Sequence, residues 1–202
     1  MRVTLSAAAT ADGYLDDNGP ERLMISTPED WAAVLRLRGQ CDAILVGAET
    51  LRRDNPALLL RDEAVRERRR AAGLRPDIAK VVVTRSGKLD PALRFFSEGD
   101  ADRYVFSEVE CLDLESVAEV IQIEGSHTAA QVVTALEKRG IRHLLVEGGA
   151  QILSMFLREG MPDEVREARR HGGDPLHDPS GHDGRRPPVA RTGRRDGQAL
   201  HA

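Results

Sequence analysis

Polar and charged residues crowd together directly after one apolar stretch of the chain. Residues 44–46 (ILV) are typical of a buried strand, yet the following residues 47–61 (GAETLRRDNPALLLR) bring together an open backbone, the hydroxyl of Thr50, the carboxylate of Asp54 and the guanidinium of Arg61. A guanidinium is a fixed cation suited to a phosphate group. A single arginine is nevertheless more often a plain surface charge. The stretch therefore raises the hypothesis of a site for a phosphorylated ligand.

A second group of unusual residues, Glu147, Gly148 and Gly149, follows the apolar run 144–146 (LLV). Two glycines before a helix allow backbone N–H groups to face an anion at the helix N-terminus. The alternative is an ordinary tight turn between a strand and a helix, and no GxGxxG fingerprint is present. A carboxylate at the end of an apolar strand needs a partner, which the paired donors of an aminopyrimidine would supply.

Alternating apolar runs and helical patterns predict an α/β protein with a mostly parallel central sheet and helices on both faces. A helix begins near Pro28 and carries Arg38 on the same face as Val34 and Leu35. The segment 63–71 (EAVRERRRA) fits a solvated helix face or a loop. Predicted strands lie around residues 3–5, 43–46, 81–83, 104–106 and 144–146, and further helices at 129–138 and 151–158. In such a sheet the residues that follow the strands, including Asp12 and Gly13, meet at one edge.

Composition and charge exclude several classes of protein. With 202 residues, 41% of them hydrophobic and 31% charged, the chain suits one globular domain with an extension. The net charge of −4 argues against nucleic acid or an anionic membrane as a partner. No apolar run reaches the ~20 residues of a membrane span, and no signal peptide is recognisable. Cys41 and Cys111 are far apart and form no CxxC or metal-ligand spacing. This is typical of reduced thiols and predicts a cytoplasmic protein.

The composition changes abruptly near the end of the printed sequence. From Arg169 on, glycine, proline and arginine dominate and few large aliphatic residues occur. Such a segment cannot bury enough surface to offset its ordering entropy. His177 and His182 lack regular spacing and carboxylate partners, so we expect no metal site. We predict a domain at residues 1–165 and a disordered tail at 166–202 whose composition is typical of a shifted reading frame, so that the C-terminal strands of the sheet are missing.

Three segments carry a resemblance to a known family: TADGYLDD (10–17), DAILVGAETLRRDNPALLLR (42–61) and LLVEGGAQILSMFL (144–157). Together they resemble the reductase domain of bacterial riboflavin biosynthesis over residues 1–165. The resemblance implies a dihydrofolate-reductase-like fold, NADPH as the cofactor and a homodimer as the typical assembly. It also implies reduction of the ribosyl group of 5-amino-6-(5-phosphoribosylamino)uracil to a ribityl group. The HxE and PCxxC signature of the zinc deaminases, which would mark the other half of a bifunctional enzyme, is not found in this sequence.

The resemblance also implies roles for individual residues. Asp54 and Glu147 are expected at the catalytic centre, and Arg38, Leu58, Arg61 and Glu147 are expected to hold the substrate, with both arginines at its phosphate. The expected cofactor contacts are Ala8, Thr50, Asp54, Arg85, Ser86, Gly148, Gly149, Ala150, Gln151, Ile152 and Leu153. Alternatives are a reductase of the 2,5-diaminopyrimidinone analogue or of another pterin-like compound, and an inactive remnant that keeps only the nucleotide pocket.

Overall fold

A parallel sheet forms the centre of the molecule. A computed structural model describes residues 1–10, 28–125 and 128–170 of the chain. The sheet has seven strands in the order β5-β4-β3-β2-β6-β1-β7, and neighbouring strands pair in parallel. The strands are β1 Arg2–Thr10, β2 Ala43–Gly47, β3 Ala79–Thr84, β4 Arg103–Ser107, β5 Glu119–Gln122, β6 His143–Gly148 and β7 Glu164–Arg170.

Helices cover both faces of this sheet. They are α1 Pro28–Arg38, α2 Ala48–Asp54, α3 Glu63–Ala71, α4 Arg94–Ser97, α5 Thr128–Glu137 and α6 Ala150–Arg158, with a short 3-10 turn at Leu112–Leu114. One apolar cluster joins α5 and α6 to one face, and a second joins α2 and α4 to the other. The predicted α/β architecture is thereby confirmed.

Alternate residues of the central strands supply the two clusters. In β3, Val81 and Val83 belong to the cluster under α5 and α6, whereas Val82 belongs to the opposite cluster. All six residues of β3 are buried. A strand covered on both faces is mostly apolar, although β3 also buries Lys80 and Thr84. The apolar runs in the sequence therefore located these strands correctly.

The charge-dense segment 63–71 forms a helix rather than a loop. Asp62 caps α3 by accepting hydrogen bonds from the backbone N–H groups of Ala64 and Val65, at 2.9 and 3.3 Å. The helix has no fully buried residue. It is the solvated helix that the charge pattern allowed.

The end of the domain differs from the sequence prediction. We expected the domain to stop at residue 165 and the following residues to be disordered, but β7 continues to Arg170 and pairs with β1 from Thr4↔Glu164 to Thr10↔Arg170. An edge strand is held by backbone hydrogen bonds along one side only, so it does not need the apolar alternation that this segment lacks. One strand is therefore present where we expected none. The compact unit runs from Met1 to Gly172, and the predicted tail beyond Arg170 lies outside the described residues.

Candidate functional site at the carboxyl edge of the sheet

Two helices begin side by side at the carboxyl edge of the sheet. Helix α2 starts directly after β2, and α6 starts one residue after the neighbouring strand β6. Their N-cap residues, Gly47 and Gly149, offer no side chain to the first backbone N–H groups. A Cβ atom on Gly47 would stand only 2.9 Å from Cγ1 of Ile152, so glycine at this position lets the first turn of α6 approach the end of β2.

The hydroxyl of Thr50 lies over the start of α6. Its Oγ1 is 3.5 Å from the position that a Cβ atom would take on Gly149. Asp54 follows Thr50 by four residues on α2, so the two side chains share one face of that helix. Gly148 has φ of 139°, a conformation open to glycine and strained for other residues, and the Gly148–Gly149 peptide bond is cis.

These groups fit the pyrophosphate of a nucleotide cofactor. The N-terminus of the nine-residue helix α6 presents N–H groups and the positive end of the helix dipole, and Thr50 adds a hydroxyl beside them. Ala150 and Gln151 are exposed, whereas Leu153 is 6% exposed and belongs to the core. Leu153 is therefore not open to a cofactor, because its side chain is buried and its N–H already donates to the backbone oxygen of Gly149.

Arg38 and Glu147 form a buried ion pair with each other. Nε and Nη2 of Arg38 donate to Oε1 and Oε2 of Glu147 at 2.8 and 2.5 Å. The exposed fractions of the two side chains are 10% and 13%. The partner that the carboxylate requires is thus a guanidinium from α1. The sequence identified both residues as functional candidates but gave them separate partners, the substrate phosphate and the pyrimidine.

The packing of α1 on β6 explains why these two residues meet. Leu37 and Cys41 pack against Leu145 of β6, which brings the end of α1 over this strand. The register between β2 and β6 shifts at this level, with Leu45 opposite Val146 and Val46 opposite Gly148, so Glu147 has no partner on β2. A strand irregularity of this kind redirects a side chain and is common beside active sites.

Cys41 is excluded as a nucleophile of this site. It is 1% exposed, and its thiol donates to the backbone oxygen of Leu37 at 3.2 Å. Burial, followed by the nearby carboxylates of Asp42 and Glu147, raises the pKa of the Cys41 thiol to about 12. The thiolate that would react is therefore absent at neutral pH.

The remaining predicted substrate residues lie in residues 55–61, which we call the exit loop because they lead out of α2. Leu58 is 6% exposed and packs in the core. Arg61 is exposed at the end of the loop. The two arginines predicted at one phosphate therefore stand in different surroundings, Arg38 buried against a carboxylate and Arg61 open to solvent.

The outlying cofactor candidates lie on strands that flank this edge. Arg85 and Ser86 are exposed and follow the end of β3, the neighbour of β2. Ala8 lies in β1, the neighbour of β6, in register with Ala168 of β7. The structure thus brings Thr50 together with Gly149 and pairs Arg38 with Glu147, while Arg85, Ser86 and Ala8 lie on the strands to either side.

Sequence reasoning missed Asp77, a buried carboxylate next to the exit loop. It is 1% exposed and accepts a hydrogen bond from the backbone N–H of Leu60 at 3.0 Å. Its position just before a predicted strand, in RPDIAKVVV, was the available signal, since a buried acid needs several donors.

Two further observations concern metal ions and membranes. Within residues 1–10, 28–125 and 128–170, no group of three or more His, Cys, Asp or Glu could hold a metal ion; His177 and His182 lie outside these ranges. In the same described part of the chain, no helix is long and apolar enough to cross a membrane.

The seven-stranded parallel sheet, with helices on both faces, is that of the dihydrofolate-reductase-like pyrimidine reductases. The family model described as RibD C-terminal domain matches residues 1–167. The chain belongs to this family.

Curated relatives agree with that assignment. A protein of Archaeoglobus fulgidus named 2,5-diamino-6-ribosylamino-4(3H)-pyrimidinone 5′-phosphate reductase is 30% identical over 169 residues, which cover 81% of this chain and 77% of the relative. A protein of the same name from Methanothermobacter thermautotrophicus is 33% identical over 178 residues, covering 81% and 74% of the two chains.

Solved structures agree in fold. A diaminohydroxyphosphoribosylaminopyrimidine deaminase/5-amino-6-(5-phosphoribosylamino)uracil reductase of Thermotoga maritima matches with a TM-score of 0.63 at 30% identity, over 81% of this chain and 43% of that one. The chain thus spans less than half of that bifunctional protein. A pyrimidine reductase-like protein of Corynebacterium diphtheriae has a TM-score of 0.70 at 21% identity, over 84% and 75% of the chains, and supports the fold alone.

Proposed function

We propose that this chain is an NADPH-dependent reductase of riboflavin biosynthesis that converts the ribosyl group of 5-amino-6-(5-phosphoribosylamino)uracil to a ribityl group. The observation that carries the proposal is the juxtaposition of Thr50 and Gly149 at the N-terminus of α6. It forms a cradle for a cofactor pyrophosphate on the strand whose end carries Glu147. Membership of the RibD C-terminal domain family supports the same activity.

The reaction adds one hydride and one proton to the ribosyl group. A bound nicotinamide cofactor supplies the hydride, and the residues of this chain bind and orient the two molecules. Thr50 and the N–H groups of α6 hold the pyrophosphate, and we assign the exposed Arg85 to the 2′-phosphate that distinguishes NADPH from NADH. Asp54, on the same helix face as Thr50, is the carboxylate assigned to the catalytic edge.

The substrate is held by its phosphate and by its pyrimidine. Arg61 is exposed and carries a fixed charge for the phosphate. Glu147 accepts hydrogen bonds from the amino groups of the pyrimidine, and Arg38 joins Arg61 at the phosphate, as the family resemblance implies. Cys41 and Cys111 are both free and buried, which fits a protein of the reducing cytoplasm.

The decisive experiment is reduction of the pyrimidine by the purified full chain. We expect oxidation of NADPH, followed by absorbance, together with a product that has gained two hydrogen atoms by mass spectrometry. Thr50→Val keeps the side-chain shape and should weaken NADPH binding roughly tenfold through loss of one hydrogen bond to a charged group. Thr134→Val, an exposed threonine on α5, is the matched control and should leave binding unchanged.

A second substrate is favoured by the names of the relatives from Archaeoglobus and Methanothermobacter. It is the 2,5-diamino compound, which carries an amino group where the uracil carries a carbonyl oxygen. An additional amino group is an additional donor for Glu147. Parallel measurements of kcat/KM with both compounds separate the two substrates. If the chain binds NADPH but turns over neither compound, the alternative of an inactive remnant that only binds a nucleotide would be supported instead.

A further inference from the structure

The exit loop has a backbone that its own sequence does not favour. Asn55 and Leu58 have φ of 42° and 51°, in the left-handed region. Asparagine adopts this conformation readily, whereas a leucine does so only where its surroundings hold it there. Leu58 is also one of the residues proposed to hold the substrate. The shape of this loop therefore matters for binding.

Two side chains outside the site fix the far end of the loop. Oδ1 of Asp77 accepts hydrogen bonds from the backbone N–H of Leu60 at 3.0 Å and from Nη1 of Arg66 at 2.7 Å. The same Nη1 donates to the backbone oxygen of Leu60 at 3.3 Å. Both backbone groups of Leu60 are thus bonded to one ion pair, and Leu60 is the residue immediately before Arg61.

Asp77 is itself held rigidly. The residue is 1% exposed, and its second oxygen accepts from the backbone N–H of Asp100 at 3.1 Å. The near end of the loop is fixed separately, because Oδ1 of Asn55 accepts from the backbone N–H of Arg94 at 2.8 Å. The loop is therefore anchored at both ends, with the strained Leu58 between the anchors.

We propose that Asp77 and Arg66 are positioning residues for the substrate: their ion pair holds Leu60, and thereby sets the backbone at Leu58 and the direction of Arg61. This inference rests on the proposed function for the roles of Leu58 and Arg61. It extends the substrate site to Arg66 on α3 and to Asp77 just before β3, whose side-chain hydrogen bonds go to Leu60, Asp100 and each other rather than to Thr50 or Gly149.

The experiment compares two arginines of the same helix. Arg66→Gln removes the guanidinium from Leu60 and Asp77, and also from the exposed Glu63, whose Oε2 lies 3.2 Å from Nε of Arg66. Arg70→Gln, the matched control, removes a guanidinium that bonds the exposed Glu63 and Glu67. Arg66→Lys tests rescue, because an ammonium can reach Asp77 but cannot bond Leu60 through the same planar group. Each full-length variant is measured for KM of the pyrimidine substrate, kcat, NADPH affinity and hydrogen exchange of the Leu60 amide.

We expect Arg66→Gln to raise KM roughly tenfold, as loss of one charge-assisted contact does, and to speed exchange of the Leu60 amide. NADPH affinity should be unchanged, Arg66→Lys should be intermediate and Arg70→Gln should resemble the wild type. Unchanged exchange in Arg66→Gln would show that the ion pair does not hold the loop. Faster exchange with unchanged KM would show that the anchor has only a structural role, and equal losses in substrate and NADPH binding would show general damage.

The exchange measurement separates this inference from the proposed function. A wild-type chain that reduces neither pyrimidine overturns the proposed function and, with it, the substrate role of the anchor. The Leu60 amide still reports whether Asp77 and Arg66 hold the loop.

Discussion

Arg38 and Glu147 should stabilise the protein as a pair. The double variant should therefore be destabilised by less than the sum of the two single variants. Arg38→Met keeps the apolar stem of the side chain and deletes the guanidinium, which leaves Glu147 as a carboxylate without that partner. Loss of one partner of a buried pair costs roughly 3–5 kcal/mol. Since the two side chains are 10% and 13% exposed, water compensates in part, and we expect about 3 kcal/mol. That corresponds to a fall in Tm of roughly 6–12 °C for a domain of this size.

Glu147→Gln should cost less, about 2 kcal/mol, because the amide oxygen still accepts one hydrogen bond from Arg38 while the amide nitrogen faces a second donor. In the double variant no charge is left without its partner. We therefore expect its destabilisation to fall short of the sum by about 2 kcal/mol. Urea unfolding of the four proteins measures this coupling, provided that the slope of the unfolding free energy against urea stays the same.

The exposed pair of Arg94, the first residue of α4, and Glu98, its C-cap residue, is a matched control for this cycle. It has the same residue types and the same two-bond geometry, at 2.6 and 3.3 Å, but its side chains are 49% and 40% exposed. Solvent screens such a pair, so Arg94→Met and Glu98→Gln should show no measurable coupling. If the Arg38 and Glu147 substitutions were also additive, the buried ion pair would not be a stabilising unit and the argument for mutual dependence would be refuted.

Three further outcomes are expected. Arg61→Ala should raise KM for the phosphorylated substrate by roughly tenfold or more and leave a dephosphorylated analogue unaffected; equal losses by steady-state kinetics would make Arg61 structural. Arg85→Ala should lower the affinity for NADPH but not for NADH in fluorescence titrations, and no preference for NADPH in the wild type would remove this role. Burial, with Arg103 nearby, lowers the pKa of Lys80 from 10.5 to about 8, so the folded state loses this proton before the unfolded state does, and stability should rise between about pH 8 and 10.5. Urea unfolding should show that this rise is missing in Lys80→Met; a rise of the same size in the variant would assign it to other groups.

The sequence located strands well where burial on two faces demands an apolar run. Strands β2, β3, β4 and β6 are of this kind. It did not locate β5, which has four residues, none of them fully buried, nor β7, whose sequence EVREARR is mostly charged. Both are edge strands, where backbone pairing with one neighbour is enough and the side chains carry little information.

Helix α2 was missed for a different reason. It has seven residues, begins after Gly47 and ends at Asn55 in the left-handed conformation. Both signals stood in the sequence, but the dense polar residues between them were interpreted as a ligand site and no helix was predicted. A helix of two turns shows too little periodicity to be distinguished from a loop by pattern alone.

In the candidate site, the sequence identified the important residues but not the contacts between them. Arg38 and Glu147 were recognised one by one because a guanidinium and a carboxylate next to apolar elements need partners. Their pairing spans 109 positions and depends on how α1 crosses β6 and on the register shift before Gly148. Neither feature leaves a pattern in the local sequence. The anchor of Asp77 on Leu60 is hidden in the same way.

The ion pair also links the two halves of substrate recognition. If Arg38 is to bind the phosphate and Glu147 the pyrimidine, as the resemblance implies, the substrate has to replace each residue's partner at the same time. A phosphate alone would draw Arg38 away and leave a buried carboxylate without its cation, which is costly. A pyrimidine alone would compete with a guanidinium that already fills both oxygens. Only a ligand that carries both groups at the right distance can exchange one set of bonds for the other, so the pair favours the intact ribosylaminopyrimidine phosphate over either fragment.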